Sequence, residues 1–293
     1  MVGWVAGEIV DGGFDYEMGP TNVQSSSGGW PRIAASSYLN TAPLIWSFLY
    51  GTRRHRTRLV TDAAPASCAD LLARSEVDAA LVPIIEYHRI PEVRVVPGVC
   101  VGSHSAVRSV VLVSKQDDLR KVGKVALDAS SRTSQALVKI IFREFLGFEP
   151  QWQSSGPDVP LMLKNNDAAL IIGDPAMRIS ATDVHIFDLA TLWRKFTGVG
   201  FVFAMWMARA GAENIRDLDF AGARDEGLGH VMEIARQYEP LLGLPQDELV
   251  IYLSNNICFN FDDDMQKGLE LFFKLAHKHR IISNATSLKM IDP

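Results

Sequence analysis

Apolar and polar positions alternate along this chain in short blocks, and the repeat switches between that of a strand and that of a helix. Arg32 to Ala35 is a compact apolar run that predicts a strand; the polar loop Ser36 to Thr41 follows, and Pro43 opens an apolar run from Leu44 to Leu49 that predicts a helix. Thr57 to Thr61 predicts a second strand. A helix beginning near Pro65 carries Cys68, Leu71 and Leu72 on one face, and Ala79 to Val82 reads as a buried strand. This β-α-β alternation predicts a parallel sheet covered on both faces, with ligand chemistry at the carboxyl ends of its strands.

Two further apolar runs, Val95 to Val101 and Ser109 to Ser114, come next, and the second is expected to carry the chain into another lobe. There the pattern repeats. Lys124 to Leu127 predicts a strand, Ser130 to Ser134 a polar turn, and Gln135 to Phe145 a helix closed by Gly147. Ala168 to Ile172 predicts a strand ending in Gly173-Asp174-Pro175, and the apolar segment Gly198 to Met207 is expected to return to the first lobe. From about Arg224 the pattern is helical. Met265 to Lys278 has Asp262, Asp263 and Asp264 before it and Lys274, Lys278, His279 and Arg280 at its end, the charge order that a helix dipole favours.

The expected architecture is therefore two α/β lobes joined by two crossover strands with a cleft between them, able to close on a small molecule. The expected divisions are a flexible extension over 1–30, a discontinuous first lobe over 31–112 and 206–293, and a second lobe over 113–205. With 293 residues, 47% of them hydrophobic, the chain can bury a core for two such lobes without a staple. Cys68, Cys100 and Cys258 lie far apart without metal-type spacing, which argues against a disulfide or zinc framework and for a reducing compartment.

A formal charge of −5 argues against a nonspecific nucleic-acid binder. The local exception, Arg53, Arg54, Arg56 and Arg58 around His55, reads as a solvated loop. The first thirty residues carry Glu8, Asp11, Asp15 and Glu17 and no basic, apolar leader, so export is not expected; nor is a membrane span.

Candidate chemistry gathers in three strand-to-helix loops. In the first, backbone amides at a helix start together with Ser37, Asn40 and Thr41 could hold a carboxylate, although Asn40 or Thr41 could equally serve as an ordinary helix cap. The second, Asp128 to Ser134, crowds four hydroxyls and the Arg132 guanidinium where capping needs one group; Arg132 could instead face solvent. In the third, Gly173 permits close backbone approach and Asp174 could accept a ligand hydrogen bond, or simply start a helix. Two anion loops, one per lobe, suit a ligand with two carboxylates or two separated polar ends. No HExxH, CxxC, Walker or GxGxxG pattern accompanies them, and the histidines lie outside these loops.

In order along the chain, Ser37-Tyr38-Leu39-Asn40-Thr41-x-Pro43-Leu44, Glu76-Val77-Asp78, Ala80-Leu81-Val82-Pro83 with Glu86-Tyr87, and Val107-Arg108-Ser109-Val110 resemble the chorismate dehydratases of the futalosine route to menaquinone. Ala126-Leu127-Asp128 with Ser130 to Ser134, Gly173-Asp174, and Thr197-Gly198 followed by Phe201-Val202-Phe203-Ala204 and Trp206 continue the resemblance. Ile84 stands where that pattern has a small polar residue, and Ala190-Thr191-Leu192 lacks the acidic residue usual before Trp193.

The resemblance implies a fold like type II periplasmic binding proteins, used in the cytoplasm by an enzyme that converts chorismate to 3-[(1-carboxyvinyl)oxy]benzoate and water without metal or organic cofactor. It implies Asn40 as the residue positioning the enolpyruvyl side chain for catalysis. Ser37, Thr41, Ser109, Ser130, Ser131, Arg132, Thr133, Gly173 and Asp174 are the expected substrate ligands. The general base stays open between the substrate's own carboxylate, Asp174 and Glu86. A homodimer through the helical tail also stays open, and neither nucleic acid nor membrane is an expected partner. The rival reading is a non-catalytic solute-binding protein for a small carboxylate. The related dihydroxynaphthoate synthases would need a Ser-Pro-Cys-Pro-Asn-Asp type of first loop, which is absent, and a regulator's effector domain would need a helix-turn-helix that residues 1–30 do not provide.

Overall fold

The computed structural model describes residues 29–62 and 64–291. Nearly all of the extension expected over 1–30 lies outside the described residues. Among the described residues eleven strands form two sheets: β1 (Arg32–Ser36), β2 (Arg58–Asp62), β3 (Ala79–Pro83), β4 (Val93–Ser103), β5 (Val110–Ser114), β6 (Lys124–Asp128), β7 (Gln151–Ser155), β8 (Ala168–Ile172), β9 (His185–Asp188), β10 (Phe201–Arg209) and β11 (Cys258–Asn260). The first sheet has the order β11-β4-β10-β3-β1-β2 and the second β7-β6-β8-β5-β9.

The two sheets follow one plan. In the first, β1 lies between β2 and β3, all parallel, and β10 pairs antiparallel with β3. In the second, β6 lies between β7 and β8, again parallel, and β5 pairs antiparallel with β8. Each antiparallel strand is the first element after the chain has crossed from the other lobe. The central strands β3 and β8 are buried along their whole length, which is why Ala-Ala-Leu-Val-Pro and Ala-Ala-Leu-Ile-Ile read as unbroken apolar runs.

Sheet membership changes between Ser103 and Val110 and again between Asp188 and Phe201, a few residues ahead of the expected divisions at 112/113 and 205/206. The connections are short segments outside the ladders. Gly198, at φ +78°, ends the helix Leu189–Thr197 and turns the chain into the second of them. The buried Trp193 indole donates to the Gly200 carbonyl at 3.0 Å and packs against Phe201 and Phe272, so one aromatic cluster holds this connection to the first lobe.

Two expectations outside the site need correction. The tail is not wholly helical: Cys258–Asn260 forms β11 on the edge of the first sheet beside β4. Arg53 is not part of a solvated loop, because its guanidinium is mostly covered and pairs with Asp219 and with Glu226 at 3.0 Å.

Candidate active site

In each lobe one central parallel strand, β1 in the first and β6 in the second, ends in a corner, and the two corners meet. In the first lobe, β1 delivers Ser36 inward and Ser37 outward, as the alternation of a strand requires. Ser36 Oγ and Thr41 Oγ1 lie 2.9 Å apart in a buried hydroxyl pair, and Thr41 also reaches Asn40 Oδ1 at 3.4 Å. Neither Asn40 nor Thr41 caps the helix Ala42–Leu49, which starts with no side-chain hydrogen bond at all. The ordinary capping role therefore does not account for these two residues.

The second corner divides its labour. Ser131 is the cap of the helix Arg132–Ile140, its hydroxyl accepting from the Ser134 amide at 3.2 Å. Ser130 donates from both its amide and its hydroxyl to Asp128 Oδ1, at 2.9 and 2.6 Å. The Ile85 amide of the first lobe donates to Thr133 Oγ1 at 3.3 Å. Arg132 faces neither solvent nor the cleft: it bonds Glu86 at 3.0 Å and Asp70 at 2.7 Å, both in the first lobe.

The third loop closes the same gap. Gly173 has φ +66°, donates its amide to the Ser109 carbonyl at 2.7 Å, and passes so near Tyr38 that a Cβ there would lie 2.5 Å from the ring. Glycine answers both demands, a left-handed backbone and a face without side chain. The carboxylate of Asp174 makes no cap; it accepts the Leu39 amide across the cleft at 3.0 Å.

Between the corners lies a cleft with about 550 Å³ of empty space, part of it open to solvent. Its polar wall holds Ser36, Tyr38, Asn40, Thr41, Thr133 and Ser134, with Ser131 beside them. Its floor is apolar, formed among others by Leu81, Val101, Val110, Ile172 and Phe203. Polar ends over a greasy floor suit a flat ring carrying charged substituents.

Of the expected ligands, the structure brings Asn40, Thr41, Ser131, Thr133 and Gly173 to the cleft wall. It does not bring Ser37, Ser109, Ser130, Arg132 or Asp174 there. Ser37 has an exposed side chain and engages through its carbonyl, which accepts from the Tyr238 hydroxyl at 2.9 Å. Ser109 is fully buried behind the wall, where the Tyr252 hydroxyl bonds it at 2.7 Å. Glu86, a candidate base, also stands outside the wall, tied to Arg132 and, at 3.4 Å, to Arg89.

Sequence reasoning passed over Tyr38 and Tyr252. Tyr38 sits in the quoted loop motif; burial pushes its hydroxyl up to about 12, against the hydrogen bond to Ser130, so it stays a neutral donor. Tyr252 belongs to a π-helical turn, Tyr252–Asn256, in the tail, and burial likewise raises its hydroxyl, which faces Ser109 and Asn40. No spacing in the chain points to it, because it reaches the site from over two hundred residues away. The departures from the family pattern are structural: Ile84 is fully buried, and Asp188 supplies a carboxylate to the amides of Val107, Arg108 and Thr191 at 3.2, 2.6 and 2.9 Å.

This topology and cleft agree with what known proteins show. A family model described as menaquinone biosynthesis matches residues 31–278. The chain belongs to that family. A relative, the chorismate dehydratase of Thermus thermophilus, is 31% identical over 268 residues, covering 83% of this chain and 92% of its own. Among solved structures, a family-sized protein from Archaeoglobus fulgidus superposes with a TM-score of 0.70 at 14% identity, covering 86% of this chain and 98% of its own. The periplasmic aliphatic sulphonate binding protein of Escherichia coli gives 0.58 at 15% identity, covering 91% and 95%. The member of the menaquinone family described here thus has the fold of the periplasmic binding proteins, and among the described residues no helix is long and apolar enough to cross a membrane.

Asp174 makes the stability of the fold sensitive to pH. Burial raises its carboxyl from 3.8 to about 6, against the pull of the Leu39 amide and Arg178. The folded protein therefore holds this proton between about pH 4 and 6 where the unfolded chain releases it. The resulting penalty is absent below that window and complete above it. Asp174→Asn keeps an acceptor for Leu39 and removes the charge. It is expected to raise the stability at pH 7 to 8 by at most about 3 kcal/mol, and to leave it unchanged at pH 4, as scanning calorimetry at both pH values would read.

Proposed function

We propose that this chain is a carbon–oxygen hydro-lyase that converts chorismate to 3-[(1-carboxyvinyl)oxy]benzoate and water, at the entry to menaquinone biosynthesis. The observation that carries this reading is the pair of corners facing one another over an apolar floor, with Asn40 and Thr41 free of capping duty. Chorismate is a dianion with one carboxylate on its ring and the other on the enolpyruvyl ether, and the wall offers neutral donors from both corners. The name of the Thermus thermophilus relative supports the same reaction.

The elimination is redox-neutral. The ring C–H next to the enolpyruvyl ether breaks, and its electron pair spreads through the ring double bond to the ring carboxylate. Donors around that carboxylate, with Thr133, Ser134 and Ser131 in place for it, stabilise the developing enediolate. The neighbouring C–O bond then breaks, the hydroxyl leaves as water after taking the proton, and the ring becomes aromatic.

The wall carries no histidine, lysine or carboxylate. Asp174 and Glu86 are engaged by other partners, the Leu39 amide and the Arg132 guanidinium. This favours the enolpyruvyl carboxylate as the base, held against the ring proton by Asn40, with the protein supplying orientation and electrostatics. The reaction belongs to the cytoplasm, and the lobes that close on the substrate are the two sheets with their helices, joined at 104–109 and 198–200.

Incubation of the purified protein with chorismate, followed by ultraviolet absorbance and mass spectrometry, tests this. An aromatic product lighter by one water is expected; chorismate returned unchanged would sink the reading and leave a solute-binding protein.

A further inference from the structure

Away from the cleft, three side chains from separate stretches converge beside the lobe connections. His104 lies in the first connection, Cys258 in β11, and Asp262 immediately before the helix Asp263–Lys278. One ligand atom from each, an imidazole nitrogen, the thiol sulfur and a carboxylate oxygen, all lie within 4.8 Å of one another.

Both imidazole nitrogens face carboxylates. Nε2 is 3.2 Å from Asp262 Oδ2, and Nδ1 is 3.0 Å from Asp264 Oδ2. A neutral imidazole carries one N–H, so one of these contacts would set a lone pair against an oxygen. Either a second proton or a cation between Nε2 and Asp262 relieves this. The thiol beside them, which donates to the Asn260 carbonyl at 3.2 Å, completes with the imidazole nitrogen and the carboxylate oxygen the donor set of zinc-like ions.

The surroundings fit that use. Asp264 holds the far nitrogen of the ring, as a carboxylate does for most metal-bound histidines, and is itself fixed by the Gly200 amide and by Arg194, each at 2.9 Å. His104 and Asp262 are half-exposed, so a hydrated ion can reach them and keep water in a fourth position.

We propose that His104 Nε2, Cys258 Sγ and Asp262 Oδ2 bind one thiophilic divalent cation of the Zn²⁺ type. The site joins the first connection to the helix start that already holds the second connection through Gly200, so the ion pins the segments on which the lobes pivot. Cysteine spacing could not reveal this site, because His104 joins it from a distant part of the chain.

Titration of the full chain with Co²⁺ tests the proposal independently of catalysis. A thiolate-to-cobalt charge-transfer absorption is expected, saturating at one equivalent and abolished by Zn²⁺. Cys258→Ser is expected to eliminate the band, and His104→Gln to weaken binding at least about tenfold. Cys68→Ser, at a buried and separate position, is expected to leave it unchanged. If the wild-type chain gives no such band, or the band survives Cys258→Ser, the site does not exist; His104→Gln carries the same decision should the serine variant fail to fold.

Discussion

Replacement of Asn40 by alanine is expected to lower kcat for chorismate by about 10²–10³-fold while the protein melts within a degree or two of wild type. The magnitude is that of removing one directed donor from developing or reacting charge in a water-poor cleft. The small thermal effect follows because both partners of the side chain keep another bond: the Thr41 hydroxyl, 3.4 Å from Asn40, stays 2.9 Å from Ser36, and the Tyr252 hydroxyl stays 2.7 Å from Ser109. No helix cap is lost. Asn40→Asp keeps the shape but sets a carboxylate against an anionic substrate, so its kcat should fall at least as far. Steady-state ultraviolet assays and thermal melts of both variants decide the matter, and near-normal turnover in Asn40→Ala would discard the positioning role.

The parallel cores of both lobes were legible because buried central strands must be apolar throughout, and β3 and β8 announce themselves as such. The strands that escaped notice are edges. β7, with the sequence Gln-Trp-Gln-Ser-Ser, and β9 expose most of their side chains, so no burial pattern marks them, and β11 is only three residues long. Their existence depends on neighbours that already form ladders, which is a tertiary fact. The apolar run through 201–207 is one buried strand and carries no mark of where the chain changes lobe.

The site was legible to the level of its corners but not of its side chains. Strand alternation would have predicted that Ser36 faces in and Ser37 out, yet the loop reading treated all hydroxyls as equal. Arg132 looked like an anion ligand because its partners, Asp70 and Glu86, are 62 and 46 residues away. Thr133 and Ser134 reach the cleft because Ser131 absorbs the capping duty that any one of them could have taken.

That ion pair supports the second large expectation, Arg132→Met. Glu86 has a side chain only 3% exposed, and Arg132 is its closer cationic partner at 3.0 Å, with Arg89 at 3.4 Å. Removing Arg132 leaves the buried Glu86 carboxylate with only the more distant Arg89 as counterion, at a cost of up to roughly 3 kcal/mol. For a protein of this size that is a melting-temperature drop of roughly 5–10 °C. Because Arg132 comes from the second lobe and both carboxylates from the first, the variant should also close less readily, raising KM more than it lowers kcat. The double variant Glu86→Gln with Arg132→Met removes the stranded charge and is expected to recover a large part of the lost stability, although not the lobe contact. A single variant that melts like wild type would mean the pair contributes nothing net; a kcat loss as deep as that of Asn40→Ala, with KM unchanged, would mean that Arg132 touches the reacting substrate after all.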